Sequence, residues 1–284
     1  MSPPEPPEHV RAAFGVPADP LTVMAHGSAW RCGQVVLNPV ASTAEAVWVA
    51  HTIEGLHVDG VRLPRPLRST DGRWVVAGWG ATRYVSGRVE PRYDEVVAVA
   101  ERLHTATADL ARPDFLANRV DSDVAGSDLY VAGSDLYVAG SDLYAAADAA
   151  AWGDAEPDLD PDRGGAMFTG LAAARRPVGL RDQVVHGDLF GNVLFAGAAP
   201  PAVIGFIPYW RPREWAAAVV VVDAVAWGGA DDGLVQRWSS LDEWPQVLLR
   251  ALLFRAAVHA THPRSTAQSL AGLQRAAALV RGVL

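Results

Sequence analysis

The sequence contains no lysine, because all 24 of its basic residues are arginine. This absence excludes a lysine Schiff base and a lysine that clamps a phosphate group. Cysteine is nearly absent as well: Cys32 is the single one in 284 residues, so no internal disulfide can form. A chain without disulfides fits a reducing compartment, and we therefore expect a cytoplasmic protein.

Long apolar runs and an excess of positive charge are also missing. The longest apolar segment, residues 216–227, contains Asp223 and is too short to span a bilayer. The first ten residues are rich in proline and glutamate and do not have the pattern of a secretory signal. A net charge of −8 gives no favourable field for nucleic acid or anionic lipid, so we expect neither as a partner.

The N-terminal part of the chain mixes short β-branched runs with turn signals. One segment, residues 43–56, has apolar side chains at helical spacing and follows a suitable N-cap at Ser42 or Thr43. The dipeptide Asp71-Gly72 is typical of a hairpin turn. The runs that we predict as strands are residues 34–37, 61–63, 73–76 and 81–85.

The pattern changes to long helices after Arg92. The predicted helices are residues 93–108, 216–227, 245–259 and 267–283. The expected fold class is therefore α+β, with a small β-rich N-lobe over residues 1–87 and a larger helical C-lobe over residues 88–284. Ser86-Gly87 is the predicted hinge between them.

The heptapeptide Val-Ala-Gly-Ser-Asp-Leu-Tyr occurs three times in succession over residues 124–144. Repeats of solenoid proteins are much longer, so this is not such a fold. The segment fits either a heptad-register helix, which the repeated glycine disfavours, or short strands joined by Gly-Ser-Asp turns. We interpret it as a tandem insertion without a catalytic role; the alternative is an element that faces the substrate or recruits a protein partner.

The residues with the clearest chemical meaning lie in a polar loop, 186–192, between two short hydrophobic segments. It contains His186-Gly187-Asp188, with Asn192 four residues after the aspartate. Phosphoryl transfer needs a carboxylate to orient the proton of the attacking hydroxyl, and an oxygen ligand for magnesium nearby. A loop held between two strands positions both groups well.

This loop, His-Gly-Asp-Leu-x-x-Asn-Val-Leu-Phe, resembles the catalytic loop of the aminoglycoside phosphotransferase and choline-kinase-like superfamily, which has a two-lobed, protein-kinase-like fold. The Asp-to-Asn spacing is one residue shorter than usual, and with the Pro-Tyr-Trp-Arg-Pro element at residues 208–212 it resembles an actinobacterial branch. The resemblance implies Asp188 and His186 as catalytic residues and Asn192 as a magnesium ligand. A working enzyme would then use ATP and Mg²⁺ and a small-molecule acceptor.

Other segments extend the resemblance over most of the chain outside residues 124–144. The helix that ends in Leu103-His104 resembles the Leu-His helix of the family. Asp223 resembles the buried aspartate that supports the catalytic loop, and its burial in an apolar helix requires hydrogen-bond donors. The remaining implied positions contact the nucleotide: Gly27 and Ser28 in a phosphate-covering turn, and the backbone of Arg83 and Val85 at the hinge.

Two departures from the family pattern concern the handling of ATP. Gly205, in Val-Ile-Gly-Phe, stands where the family has the aspartate that is the main magnesium ligand. Asn38 stands where a strand lysine contacts the phosphates, so Glu45 in the following helix would lack that lysine as its partner. Asn192 alone is a weak anchor, because magnesium prefers carboxylates.

These observations leave three hypotheses for function. The first is a degenerate phosphotransferase, or pseudokinase, that is impaired in ATP-magnesium chemistry and acts by binding a nucleotide, a metabolite or a protein partner, with or without a cofactor. The second is an active O-phosphotransferase of small molecules with Asp188 as the base. The third is a scaffolding protein whose insertion at residues 124–144 binds a partner.

Overall fold

The computed structural model describes residues 4–16, 18–24, 29–117 and 143–284, and the backbone of residues 129–130 and 137–138. The strands are β1 Leu21–Val23, β2 Trp30–Cys32, β3 Val35–Pro39, β4 Pro66–Leu67, β5 Val75–Val76, β6 Trp79–Arg83, β7 Leu129–Tyr130, β8 Tyr137–Val138, β9 Gln183–His186, β10 Val193–Ala196, β11 Ala199–Val203 and β12 Pro208–Arg211. The α-helices are α1 Glu8–Ala13, α2 Thr43–Gly55, α3 Tyr93–Ala106, α4 Asp114–Ala117, α5 Leu143–Trp152, α6 Gly165–Ala172, α7 Arg213–Ala226, α8 Leu234–Arg237, α9 Trp244–Thr261 and α10 Ala267–Arg281, with a 3₁₀-helix at Pro161–Arg163.

The first half of the fold is an antiparallel sheet with the strand order β1-β2-β3-β6-β4, and β5 also pairs with β6. Helix α2 connects β3 to the edge strand β4. Its N-cap is Ser42, whose hydroxyl accepts a hydrogen bond from the Glu45 N–H (3.3 Å), as the sequence predicted. A separate apolar cluster under the sheet, which includes Val10, Cys32 and Leu37, fixes α1 against its strands.

Two predictions in this sheet are wrong. Residues 61–63 do not form a strand; Arg62 instead makes an isolated bridge to Ala202, and its N–H donates to the Pro201 carbonyl (2.8 Å). The prolines at 64 and 66 lack N–H donors, so regular pairing is confined to the two residues of β4.

The hairpin turn is likewise displaced from its predicted position. Ala77-Gly78 makes the turn, because Val76 pairs with Trp79, and both turn residues have positive φ (47° and 77°), as in a type I′ turn. Asp71-Gly72 lies in the loop between β4 and β5, which both pair with β6.

The second half of the fold is helical, and α7 lies at its centre. From Trp215 to Val225 every residue of this helix is buried, as expected for a helix that is apolar on all sides. Helices α3, α9 and α10 pack around it, and α5 and α6 pack on α9. The four predicted helices are confirmed with ends that shift by a few residues, and the α+β class with a small sheet and a larger helical part is confirmed. In the described part of the chain, no helix combines the length and apolarity needed to cross a bilayer.

Part of the repeat segment has a described backbone. Strands β7 and β8 pair antiparallel, with Leu129 opposite Val138 and Tyr130 opposite Tyr137. This pairing agrees with the strand interpretation at the end of the first repeat and at the junction of the second and third. Leu143 and Tyr144, at the end of the third, begin helix α5. The other residues of the segment lie outside the described ranges.

Candidate active-site cleft

The polar loop that carries the chemistry is held between four short strands. It begins at the end of β9, whose residues are all buried, and leads into β10. Strand β9 pairs with β12, and β10 pairs with β11. Only glycine fits at position 187, because a Cβ atom there would lie 2.3 Å from the Tyr209 ring. The backbone of the loop is therefore fixed by packing.

His186 is part of this support. Its Nδ1 accepts a hydrogen bond from the Asp188 N–H (3.1 Å), so the ring proton is on Nε2, which faces the Ile204 carbonyl oxygen at 3.3 Å. Burial lowers the pKa of the imidazole to about 4, although nearby Asp188 opposes that shift. At neutral pH His186 is therefore an uncharged bridge between the loop and residue 204. This geometry fits a positioning residue better than an acid or base.

The histidine at the end of α3 supports the same strand. His104 Nε2 accepts the N–H of His186 (3.0 Å), and the His104 carbonyl accepts from the Gln183 side chain (2.6 Å). Thr107 donates to the Val184 carbonyl (2.7 Å) one helical turn later. Burial lowers the pKa of His104 to about 3, and nearby His186 and Arg213 lower it further. The Leu-His helix is thereby tied to β9 through uncharged groups.

Asp188 is held by an arginine that sequence analysis missed. The terminal nitrogen Nη2 of Arg255, in α9, donates to Asp188 Oδ1 (2.8 Å). The same Nη2 and the Nε of Arg255 (2.8 Å) both donate to the Asp223 carboxylate. Arg255 and Asp223 are nearly inaccessible, at 8% and 1% side-chain exposure, whereas Asp188 keeps 22%. Arg255 is therefore the donor that the burial of Asp223 required.

The electrostatics of this cluster are asymmetric. Burial raises the pKa of the Asp223 carboxyl to about 6 and Asp188 adds to this, while Arg255 opposes it. Burial alone would lower the pKa of Arg255, but the two carboxylates outweigh it and hold the pKa well above its usual range. Arg255 is thus a permanent cation between two acids. An arginine in the buried face of an apolar helix was the sequence signal for it.

Asn192 lies beside Asp188, as the loop spacing implies. Its side-chain nitrogen donates to the Asp188 carbonyl (2.6 Å) and lies 3.4 Å from Asp188 Oδ2. The backbone carbonyl of Asn192 accepts the N–H of Ile204 (2.9 Å), which connects the loop to the residue that precedes Gly205. Asp188, Asn192 and residues 204–205 therefore form one connected unit.

A cavity of about 550 Å³ lies next to this unit, between the sheet, α2 and residues 203–207. Five predicted positions line it together: Asn38, Glu45, Arg83, Val85 and Gly205. The structure thus brings to one cleft the positions that the family resemblance assigns to the phosphate-binding lysine, its helix partner, the hinge and the metal ligand.

Other predicted positions are not on the wall of this cavity. Asp188 and Asn192 are adjacent to it rather than lining it, and Asp223 lies behind them. Gly27 and Ser28 lie outside the described residues, so the predicted phosphate-covering turn has no structural description.

The side chains of the cleft do not fit a magnesium-bound triphosphate. Asn38 is neutral, Gly205 has no side chain, and the cations on the wall are Arg83 and Arg88, both exposed to solvent. Within the described ranges, no group of three or more His, Cys, Asp or Glu side chains could hold a metal ion. Binding of a triphosphate needs metal and cationic side chains to neutralise its charge, and on the described part of the wall the cationic side chains are these two solvent-exposed arginines.

Comparison with solved structures identifies the fold of this chain. No protein-family model and no curated protein matches the chain. Among solved structures, it is similar to a spectinomycin phosphotransferase in complex with ADP and spectinomycin (10% identity, TM-score 0.53, 96% of both chains). It is also similar to a microcompartment-associated aminopropanol kinase (15%, 0.52, 96% of this chain and 94% of that one). It is similar as well to an amicoumacin kinase in complex with AMP-PNP, Ca²⁺ and Ami (12% identity, TM-score 0.53, 95% of this chain and 90% of that one). This chain therefore has the two-lobed, kinase-like fold of the aminoglycoside phosphotransferases.

Proposed function

We propose that this protein is a degenerate phosphotransferase, in which the kinase-like cleft is retained and ATP-magnesium phosphoryl transfer is impaired. The observation that carries the proposal is the presence of Asn38 and Gly205 on the wall of one cavity. These positions correspond to the phosphate-binding lysine and the magnesium-binding aspartate in the family that the sequence resembles. Two of the similar structures contain ADP or AMP-PNP, which makes the nucleotide the ligand to test first.

The expected impairment is large. Removal of one preorganised electrostatic contact from an active site typically costs about 100- to 1000-fold in rate. Two such losses at one phosphate group are at least as severe, although their effects do not add simply. Arg255 adds to the impairment, because it donates to Oδ1 of Asp188, one of the two carboxylate oxygens that a substrate hydroxyl would approach.

A second candidate is an active small-molecule O-phosphotransferase, and one observation favours it. Asp188 keeps 22% side-chain exposure, beside Asn192 and at the end of a rigid loop, so an acceptor hydroxyl could reach its carboxylate. This alternative requires a carboxylate that replaces the lost magnesium ligand, and no group of three or more His, Cys, Asp or Glu side chains among the described residues could hold a metal ion. No contact of a described residue supports the scaffolding hypothesis.

Restoring the two missing side chains should restore nucleotide binding. We expect wild type to show no magnesium-dependent heat in calorimetric titration with ATP, and Asn38→Lys/Gly205→Asp to bind ATP at least 10-fold more tightly with Mg²⁺ than without it. Gly205 has φ of 59°, a left-handed conformation that aspartate adopts more readily than most residues, so the variant should fold.

The matched control is Asn38→Gln/Gly205→Asn, which has similar size without the charges. It should bind no better than wild type if charge is the cause. Micromolar binding of ATP-magnesium by wild type would contradict the proposal and favour the active enzyme.

A further inference from the structure

Helix α2 contributes an unusual wall to the cleft. One face along its whole length lines the cavity: Ser42, Glu45, Ala46, Val49, Ala50 and Ile53. These residues recur at helical spacing, which would normally define a packed face. Yet Ile53 is the one residue of α2 that is fully buried among the described residues. The apolar face of α2 therefore borders an open cavity instead of a side-chain core.

The surfaces opposite α2 are apolar as well. Leu63, Trp74, Val203 and Ile207 all line the cavity. Trp74 is 7% exposed and is packed under the Arg68 guanidinium, 3.8 Å from the ring centre, so this wall is fixed in place. The cavity volume of about 550 Å³ lies in the range of pockets that enclose drug-sized ligands.

The two cations on the described wall, Arg83 and Arg88, are exposed to solvent, where an ion pair contributes little free energy. Arg88 also binds Glu90 (3.0 Å). Glu45 is the acidic side chain on the described wall. Transfer of a phosphate from water to such a surface is unfavourable without compensating cations. Transfer of an uncharged apolar molecule is favourable, by about 25 cal/mol for each Å² of apolar surface that is buried.

Two polar groups on the wall can orient such a ligand. The backbone of Asn38 pairs with Gly80 in the sheet, but its side chain makes no hydrogen bond to another described residue, and neither does the Val85 backbone. Together they offer an amide and a peptide group on an otherwise apolar surface. Pockets for small molecules commonly combine a mainly apolar lining with a few such groups.

We propose that this cleft binds an uncharged, mainly apolar small molecule, held between the face of α2 and residues 203–207. The inference rests on the proposed function, because it takes the loss of the triphosphate contacts as given. The retained site then serves as a binding pocket for a neutral ligand, and the substitutions at positions 38 and 205 removed charge that such a ligand does not need.

The test uses N-phenyl-1-naphthylamine, a neutral probe whose fluorescence rises in apolar surroundings. Wild type should bind it saturably. Ala50→Phe fills the cavity from the α2 side and should weaken binding at least 10-fold, and Ala46→Phe should do the same if the first variant folds poorly. The matched control is Ala44→Phe on the exposed side of the same helix, which should bind as wild type does.

Three outcomes separate this inference from the proposed function. Probe binding that is lost in Ala50→Phe or Ala46→Phe and kept in Ala44→Phe supports the inference. Equal binding by all variants, or none by wild type, overturns it and leaves the proposed function intact. Displacement of the probe by micromolar ATP-magnesium overturns both. Circular dichroism melting curves of each variant establish that it is folded.

Discussion

Replacement of Arg255 by alanine is expected to lower the free energy of unfolding by about 3–5 kcal/mol, because it leaves a buried carboxylate without its counter-ion. Asp223 is 1% exposed, and Arg255 is the cation that the structure places against it. The same change releases Asp188 from its contact with α9. Urea unfolding followed by circular dichroism measures the loss.

Two variants make this result specific. Arg281→Ala removes the same side chain from an exposed position of α10 and should change stability by no more than about 0.5 kcal/mol. Asp223→Asn in the Arg255→Ala background removes the stranded charge and should recover part of the loss. If the double variant is no more stable than Arg255→Ala, the cost does not come from an unpaired buried carboxylate.

The Arg255 cluster also links stability to the candidate site. Arg255 connects α9, the centre of α7 and the catalytic loop in one set of hydrogen bonds. His186 and Ile204 then connect that loop to the wall of the cleft. The candidate loop is therefore held by hydrogen bonds on both sides, whereas Asn38 and Gly205 occupy the positions that the family resemblance assigns to phosphate and metal contacts. Such a pattern is expected when binding is retained and phosphoryl transfer is not, and it motivates the proposal of a degenerate enzyme.

The parts of this arrangement that sequence could predict depend on local signals. The loop at 186–192 lies between two strands as its flanking hydrophobic residues indicated, and α2 begins after Ser42 because its cap is a local contact. The need of Asp223 for a donor followed from burial alone. Which residue is that donor could not be predicted, because Arg250 and Arg255 both lie in the buried part of α9.

Tertiary packing decides between those two arginines. Arg250 binds Gln246 and the Arg176 carbonyl, at a different part of the helix surface. The same reason explains the misplaced hairpin: Ala77 adopts a positive φ that its own preference disfavours, because the pairing of β5 with β6 requires the turn there. Long-range contacts overrode local preference at both places.

The two buried histidines should make this protein lose stability on acidification at a pH well above the range in which carboxylates usually titrate. An unfolded histidine has a pKa near 6.5, whereas burial lowers the pKa to about 3 for His104 and about 4 for His186. The stability that these uncharged rings contribute is fully present above pH 6.5 and is lost as pH falls below it. Each histidine contributes a slope of about 1.4 kcal/mol per pH unit.

Asp223 acts in the opposite direction. Its pKa is raised from 3.8 to about 6, so its contribution is present below pH 3.8 and is lost as pH rises through 6. Between pH 4 and 6 this carboxyl therefore opposes the two histidines, as do Glu101 and Asp182, whose pKa values burial also raises. The surrounding charges are Arg213 near His104 and Asp188 near His186.

Replacement of His104 tests whether the buried histidines cause the loss of stability in acid. In His104→Gln, urea unfolding at a series of pH values from 7 to 4.5 should show a slope that is smaller by about 1.4 kcal/mol per pH unit, because one buried group no longer excludes a proton. His57→Gln is the matched control, since that side chain is exposed and pairs with Asp59 at the surface; its slope should equal that of wild type. An unchanged slope in His104→Gln would place the acid sensitivity elsewhere, whatever the variant's stability at pH 7. A reduced slope would show that the contact between the end of α3 and β9, which holds the candidate catalytic loop, depends on an imidazole kept uncharged by burial.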